Sequence, residues 1–328
     1  DWTFVKDPQH FSWMGPAATP GYGAVPMAYP VGTAPAPYQD EALSTQTLFG
    51  ELDPGYRYLI ADGDGNRLAD VFKLVPRDNG TRLEYSQTDR RHEWCALGRD
   101  HALDIDVGDR SPLLGDFSAV GRNDLLLVDR SGPTLSIQVS LKPTSFEESI
   151  TFATLIPSDP ADDYLLGDHN RDGHVDLYVI HHGQGTTDLT VYSGSDDFMT
   201  QLIAVDTGLG DTAGRYFSLG DPNLDELPDL FVIADSGDTK SIDVLANGYE
   251  VVTSSFTVDV SGALLDVTVN DYDGDGRGDL WFLDTSGNLT VRLGNTRIPG
   301  FKLNSWHNAV TWKCDPDTPP YFFDGLFR

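Results

Sequence analysis

The sequence is poor in basic residues and has no long apolar segment. It contains 22 Lys and Arg against 51 Asp and Glu, which gives a formal net charge of −29. Nucleic acids and anionic membranes are bound through clustered Lys and Arg, and the sequence has no such cluster, so we expect neither as a partner. Because no apolar run reaches the roughly 18 residues of a membrane-spanning helix, we also expect no membrane insertion.

Cysteine is scarce as well, with only Cys95 and Cys314 in the whole chain. Two distant cysteines favour one disulfide formed in an oxidising compartment, and two buried free thiols are the alternative. The N-terminal residues lack the basic and then apolar layout of a signal peptide, so we expect a mature chain whose export signal lay upstream. These features favour a protein that is secreted, extracellular or held at the cell surface.

What the sequence does contain is an aspartate-rich segment that occurs five times. The copies begin at Asp62, Asp116, Asp168, Asp221 and Asp271, so their starts lie 50 to 54 residues apart. Each copy follows a short strand-like run and precedes a run that is apolar at nearly every position, which is typical of a strand buried on both faces. A polar turn and further strand-like runs complete the repeat.

Four antiparallel strands in a repeat of about 50 residues are typical of a β-propeller blade. We therefore predict an all-β propeller with five recognisable four-stranded blades over residues 56–312. Independent sandwich modules are the alternative, which we disfavour because about 50 residues bury too little apolar surface to stand alone.

The two ends of the chain differ from the repeats. Residues 1–55 are rich in Gly, Pro and Ala, and we predict an irregular arm or a degenerate blade that would raise the number of blades to six or seven. We interpret residues 313–328 as a linker and the start of a truncated C-terminal region. Cys95 lies near the end of the first repeat and Cys314 just past the fifth, so a disulfide between them would clasp a closed ring.

The acidic segments have the donor pattern of a calcium loop. Calcium takes six to eight oxygen ligands, and a nine-residue loop supplies them from side chains at positions 1, 3, 5 and 9 and the carbonyl of position 7. Four copies fit this template, so we predict about four Ca²⁺ ions and no transition metal. The predicted donors are Asp62, Asp64, Asn66, the Leu68 carbonyl and Asp70; Asp168, Asn170, Asp172, the His174 carbonyl and Asp176; Asp221, Asn223, Asp225, the Leu227 carbonyl and Asp229; and Asp271, Asp273, Asp275, the Arg277 carbonyl and Asp279.

The second copy, residues 116–124, departs from the template. Val120 occupies position 5 and offers no side-chain oxygen, so we predict that this loop is empty or weak. A single acidic loop could equally be a plain turn, since Asp, Asn and Gly all favour turns, and it is the recurrence in phase that favours calcium. His169 and His174 lie inside the third copy, and we expect their side chains to face outward.

The third copy and its flanks carry a family resemblance. The segment from Gly167 to Leu177 resembles the FG-GAP/VCBS repeats of integrin-α-like propellers, and the resemblance extends over about 255 residues. It implies a β-propeller with calcium in the loop between the first and second strands of each blade. It also implies an exported protein used for adhesion or carbohydrate contact.

The sequence shows no catalytic motif of a serine hydrolase, a phosphate-binding loop or a zinc protease. The adjacent His181 and His182 are interpreted as a solvated turn pair. We therefore predict a non-enzymatic, calcium-stabilised binding or adhesion module whose partner is an extracellular protein or a glycan. The alternatives are the propeller domain of a polysaccharide-degrading lyase or glycosidase, and a structural spacer in a surface layer or filament.

Overall fold

The computed structural model describes residues 43–44, 56–63, 70–78, 80–86, 102–121, 123–141, 148–183, 185–223, 225–270, 278–285, 289–292 and 294. Within these ranges nearly all regular structure is β-strand, and the exception is one short 3₁₀ turn at Gly194–Asp196. None of the helical structure in the described part of the chain is long and apolar enough to cross a membrane.

The strands form five separate four-stranded antiparallel sheets, which confirms the predicted five-bladed propeller. The strands of the first blade are β2 (Arg57–Ala61), β3 (Asp70–Arg77), β4 (Gly80–Ser86) and β5 (Ala102–Ile105). Those of the second are β6 (Ser111–Gly115), β7 (Asp124–Asp129), β8 (Thr134–Leu141) and β9 (Glu148–Pro157). Those of the third are β10 (Asp163–Gly167), β11 (Asp176–His182), β12 (Thr187–Tyr192) and β13 (Gln201–Asp206). Those of the fourth are β14 (Tyr216–Gly220), β15 (Asp229–Asp235), β16 (Thr239–Leu245) and β17 (Val252–Asp259).

The fifth blade is completed by a strand from the other end of the chain. Three of its strands are β18 (Leu264–Asn270), β19 (Asp279–Asp284) and β20 (Leu289–Arg292). The fourth is β1 (Leu43–Ser44), which pairs antiparallel with β20 so that Leu43 lies opposite Val291. Asn270 also donates its side-chain amide to the Ile60 carbonyl at 3.1 Å, which joins the fifth blade directly to the first. Cys95 and Cys314 lie outside the described residues.

The core consists of apolar layers between successive blades. The second strand of each blade lies between two such layers, and in β7 the side chains from Leu125 to Val128 are at most 3% exposed. Phe231 and Ile233 of β15 pack in one cluster with Val267 and Val269 of the fifth blade. This double burial explains why the second strands are apolar at nearly every position, as predicted from the sequence.

A glycine ends the first strand of three blades, namely Gly115, Gly167 and Gly220. Each lies against the next blade, because a Cβ at Gly167 would stand 2.9 Å from Leu219 Cδ1 and 3.2 Å from Pro228 Cγ. At Gly220 it would stand only 2.5 Å from Val269 Cγ1. The glycine before the acidic loop therefore leaves room for an aliphatic side chain of the following blade.

Candidate metal-binding loops and the central channel

The acidic segments connect the first and second strands of their blades, so all five lie at one end of the ring, which we call the loop face. The third loop is described in full. Both carboxylate oxygens of Asp168 accept backbone N–H groups, from Asp172 at 3.1 Å and from Gly173 at 2.9 Å. Asn170 Oδ1 also accepts the Asp172 N–H, at 3.0 Å. These bonds fold the loop tightly around the first three predicted donors.

The fourth loop repeats this pattern. Asp221 accepts the N–H groups of Asp225 at 3.1 Å and of Glu226 at 2.8 Å, and Asn223 Oδ1 accepts the Asp225 N–H at 2.8 Å. Position 6 adopts a left-handed backbone in both loops, with φ of 86° at Gly173 and 65° at Glu226. Glycine favours this conformation, and Glu226 holds it despite its Cβ.

The last aspartate of each loop is buried and holds the blade together. The five residues are at most 1% exposed; they are Asp70, Asp124, Asp176, Asp229 and Asp279. In the third blade, Asp176 Oδ2 accepts the His169 N–H at 2.8 Å, and Oδ1 accepts the N–H of Gly194, just past the third strand, at 2.9 Å. Equivalent bonds run from Asn247 to Asp229 at 3.1 Å and from Gly294 to Asp279 at 2.6 Å.

These buried carboxylates are electrostatically costly. Burial raises the pKa of Asp176 to about 6, and the nearby charges of Asp172 and Asp168 raise it further against the lowering effect of its backbone hydrogen bonds. The pKa of Asp229 is likewise raised to about 6, by burial and by Asp225 and Asp221. A cation beside these groups would favour their ionised form.

The second loop keeps the fold of the others with fewer donors. Asp116 accepts the N–H groups of Val120 at 2.9 Å and of Gly121 at 2.6 Å, and Asp124 accepts that of Ser118 at 2.8 Å. The loop geometry is therefore held by hydrogen bonds even where position 5 carries no oxygen.

Two further loops are described only at their ends. In the first, Gly63 donates its N–H to Asp70 at 2.9 Å, as the equivalent residue His169 does to Asp176 in the third loop. Of the donors predicted in the first and fifth loops, those outside the described residues are Asp64, Asn66, Leu68, Asp271, Asp273, Asp275 and Arg277.

No group of three or more His, Cys, Asp or Glu side chains in the described part of the chain lies close enough to form a ready-made metal site. The donor sets of the third and fourth loops include an asparagine and a backbone carbonyl beside three aspartates. Their chemistry is all oxygen, which suits a hard cation such as calcium and not a transition metal.

Neighbouring loops contact one another around the loop face. The Asn123 N–H donates to the Asp62 carbonyl at 3.2 Å, which joins the second loop to the first. His174 Nδ1 lies 3.1 Å from the Phe117 carbonyl oxygen, which joins the third loop to the second. These contacts join the first three loops in series.

The third and fourth loops share a larger contact. Arg171 Nε donates to the Glu226 carbonyl at 3.3 Å. His169 lies against the rings of Tyr178 and Tyr249, whose hydroxyl oxygens are 3.1 Å apart. The expectation that His169 and His174 face outward is therefore wrong, because both are half-buried against neighbouring blades.

At the opposite face, side chains tie the third blade to the connectors that precede and follow it. His181 and His182 are the last residues of β11, not a solvated turn pair. His181 Nδ1 lies 2.6 Å from Asp162 Oδ1, and this hydrogen bond raises the pKa of His181. His182 contacts Asp163 Oδ2 at 2.9 Å through Nε2 and Thr212 Oγ1 at 3.1 Å through Nδ1.

The fourth blade uses a buried lysine for the same purpose. Lys240 is fully buried, and its ammonium donates to Asp235 Oδ1 at 2.8 Å, to the Gly262 carbonyl at 2.6 Å and to the Gly237 carbonyl. Asp235 Oδ2 in turn accepts the Leu264 N–H at 2.7 Å. These bonds among Lys240, Asp235 and Leu264, which we call the Lys240 clasp, hold the start of the fifth blade against the fourth.

A cavity of about 460 Å³ lies where the first strands of all five blades meet, and we call it the central channel. Its aliphatic lining includes Leu59, Leu113, Leu165, Leu219 and Val269. A second cavity of about 440 Å³ lies at its opposite-face mouth, beside Tyr56 and Arg57. Asp266, near the start of β18, lines both cavities.

Asp266 is the one residue with a formal charge among the described residues that line the central channel. Its side chain is exposed, and desolvation of the carboxyl group by the surrounding protein raises its pKa to about 6. Sequence analysis missed this residue because an aspartate at the start of a strand looks like any other turn residue.

Comparison with known proteins finds only weak structural likeness. No protein-family model and no curated protein matches the chain. Among solved structures, exotype rhamnogalacturonan lyase YesX is 11% identical with a TM-score of 0.33, covering 77% of this chain and 59% of that one. A rhamnogalacturonan lyase from Bacillus licheniformis is also 11% identical with a TM-score of 0.33, covering 72% and 59%.

Rhamnogalacturonan lyase YesW is 12% identical with a TM-score of 0.31, covering 72% of this chain and 55% of that one. The chain thus spans less than two thirds of the length of each of these three proteins. Likeness at this level transfers neither an activity nor a substrate. The resemblance to FG-GAP/VCBS repeats stays a prediction.

Proposed function

We propose that the chain is a calcium-stabilised β-propeller that works outside the cell as a binding module. The observation that supports this most is the shared form of the third and fourth loops. In both, the aspartate at position 1 accepts two backbone N–H groups, the asparagine at position 3 accepts one, and the aspartate at position 9 is buried. A plain turn would not require oxygen donors at positions 7 and 9 in addition to those at positions 1, 3 and 5.

The third loop would hold calcium through Asp168, Asn170, Asp172, the His174 carbonyl and Asp176. The fourth would use Asp221, Asn223, Asp225, the Leu227 carbonyl and Asp229. The first and fifth loops carry equivalent donors in the sequence, which gives about four ions. Each bound ion would offset the cost of placing a carboxylate such as Asp176 in the protein interior.

The expected effect on stability is large. Extracellular calcium modules bind with dissociation constants of about 10⁻⁴–10⁻³ M. At millimolar calcium and a dissociation constant of about 10⁻⁴ M, each site adds about 1.4 kcal/mol to the free energy of unfolding, so four sites add about 6 kcal/mol. This is comparable to the whole stability of a typical domain.

The test is thermal melting of the full chain with calcium and with a chelator, together with the number of ions bound by calorimetry. We expect the chelator to lower the melting temperature by about 10 °C or more. Asp168→Asn should remove one ion from the stoichiometry, whereas the matched change Asp116→Asn, at the same position of the second loop, should leave it unchanged. An identical melting curve in chelator would refute a structural role for calcium.

For the partner, we propose a glycan or an extracellular protein. The charge of −29 disfavours anionic polymers and surfaces. A glycan array and a pull-down from extracellular extract would separate the two partners. If the calcium-loaded chain captures no ligand in either assay, the structural-spacer alternative is the better description.

An enzymatic propeller is the second candidate, favoured by one acid–base pair. Asp162 is buried, its Oδ2 has no hydrogen-bond partner in the described part of the chain, and its Oδ1 contacts His181, which is about one third exposed. Such a pair can hold and move a proton. Turnover of an uncharged or acidic polysaccharide that is lost in His181→Gln but kept in His182→Gln would support this role.

A further inference from the structure

The carboxyl group of Asp266 differs from three of the four side chains at the equivalent position in the other blades. The first strands place Arg57, Asp163 and Tyr216 at the same level of the ring. Asp163 contacts His182 at 2.9 Å, Arg57 donates to the Arg110 carbonyl at 3.3 Å, and Tyr216 donates to the Leu264 carbonyl at 2.8 Å.

Asp266 has no basic side chain within ion-pair distance among the described residues. Its hydrogen bond there comes from the N–H of the next residue, Val267, at 2.8 Å. The carboxylate is therefore exposed at the wall of a mainly aliphatic cavity and has no counterion among the described residues. A cation placed in the channel would pair with it and favour its charged form.

The surroundings indicate what kind of cation would fit. The walls are mainly aliphatic and the cavity of about 460 Å³ is in the size range of small-ligand sites, about 300–1,000 Å³. The first strands are edge strands of their sheets, so backbone carbonyls on their free edges are available as acceptors. A primary ammonium group carries three donors and could bond Asp266 and such carbonyls together.

We propose that the central channel binds a small organic cation through a primary ammonium group, with Asp266 as its counterion. The ligand body lies along the aliphatic walls, and the negative field of the whole chain attracts it toward the opposite-face mouth. This site is separate from the acidic loops, which follow the other end of the first strands, and it does not depend on calcium there.

The test is calorimetric or NMR titration of the full chain, with calcium present, using two pairs of probes. n-Butylammonium against 1-butanol tests an aliphatic amine, and glucosamine against N-acetylglucosamine tests an amino sugar. We expect one or both amines to bind and both neutral partners to fail. Asp266→Asn should weaken binding by about tenfold or more, the effect of losing a charge-assisted contact.

The control is Asp109→Asn, which removes one exposed charge from the connector between the first and second blades. It should change amine affinity by no more than about twofold, since exposed charges act weakly at a distance. Equal melting temperatures of the two variants, measured first, would show that both are folded. Repeating the amine titration in the presence of a chelator separates this proposal from the calcium proposal. We expect the amine affinity to be the same with and without calcium.

Amine affinity should also fall as the pH drops below about 6, where Asp266 becomes protonated. The other titratable side chains that line the two cavities are Tyr56, Arg57, Tyr58 and Tyr164, and burial raises the pKa of Tyr164 to about 12, so its hydroxyl group does not ionise in this range. The proposal is overturned by any of three results. These are no saturable binding up to about 10 mM amine, equal affinity in Asp266→Asn, or an equal loss in Asp109→Asn.

Discussion

Substituting Gly220 by alanine tests how the blades are held against each other. The backbone at Gly220 has no left-handed φ, so alanine can adopt it, and the cost comes from the new methyl group alone. That methyl would lie 2.5 Å from Val269 Cγ1 and 3.1 Å from Phe231 Cε2, both in the layer between the fourth and fifth blades. One of the two blades must therefore shift.

The magnitude follows from two opposing effects. Overpacking a well-packed core costs about 1–3 kcal/mol. Replacing glycine by alanine also removes conformational freedom from the unfolded chain, which stabilises the protein by about 0.4–1 kcal/mol. The net loss should be about 1–2 kcal/mol, which for a domain of this size lowers the melting temperature by about 2–8 °C.

The matched control is Gly132→Ala in the turn between β7 and β8. Gly132 is exposed, and the nearest atom to a Cβ there is the Thr134 carbonyl oxygen at 3.4 Å. This variant should be as stable as the parent or slightly more stable. Both variants are melted with calcium present. If the melting temperature of Gly220→Ala equals or exceeds that of Gly132→Ala, the contact between the blades does not require a glycine at position 220.

Three further predictions concern the opposite face and the fourth loop. Lys240→Met should lower the free energy of unfolding by about 3 kcal/mol in denaturant titration, because it leaves Asp235 without its buried partner. The raised pKa of His181 means that its pair with Asp162 stabilises the fold fully below about pH 6.5 and loses this contribution as pH rises through the folded-state pKa. The stability gap between the parent and His181→Asn should therefore shrink from about pH 5.5 to pH 8.5. Glu226→Gly should raise stability by about 1 kcal/mol by relieving a left-handed φ of 65°.

Each of these has a result that contradicts it. A Lys240→Met variant as stable as the parent would mean that the clasp adds nothing. A constant gap across pH would show that His181 stabilises by packing and not by its charge; the charges of Asp159 and Asp188 also raise the pKa of His181. Loss of stability in Glu226→Gly would show that its contact with Arg171 outweighs the backbone strain.

Much of the fold was readable from the sequence because its signals are local. The run Leu125–Val128 is apolar at each position because blades cover it on both sides, and the acidic segments mark the link between first and second strands in every repeat. The five-blade count follows from this periodicity. The recurrent glycine before the third and fourth loops was visible too, although its role in packing was not.

Other features depend on residues that meet only in three dimensions. Leu43–Ser44 is too short to show a strand pattern, yet it completes the fifth blade because β20 offers it a free edge. Asp266 and Lys240 read alike in sequence as charged residues near turns, but one lines the central channel without a counterion while the other is buried among carbonyls. Hydrophobic periodicity and loop composition are properties of neighbouring residues, so the sequence determined blades and acidic loops. Closure of the ring, the channel and the clasps arise from contacts between distant segments, so only the tertiary structure could decide them.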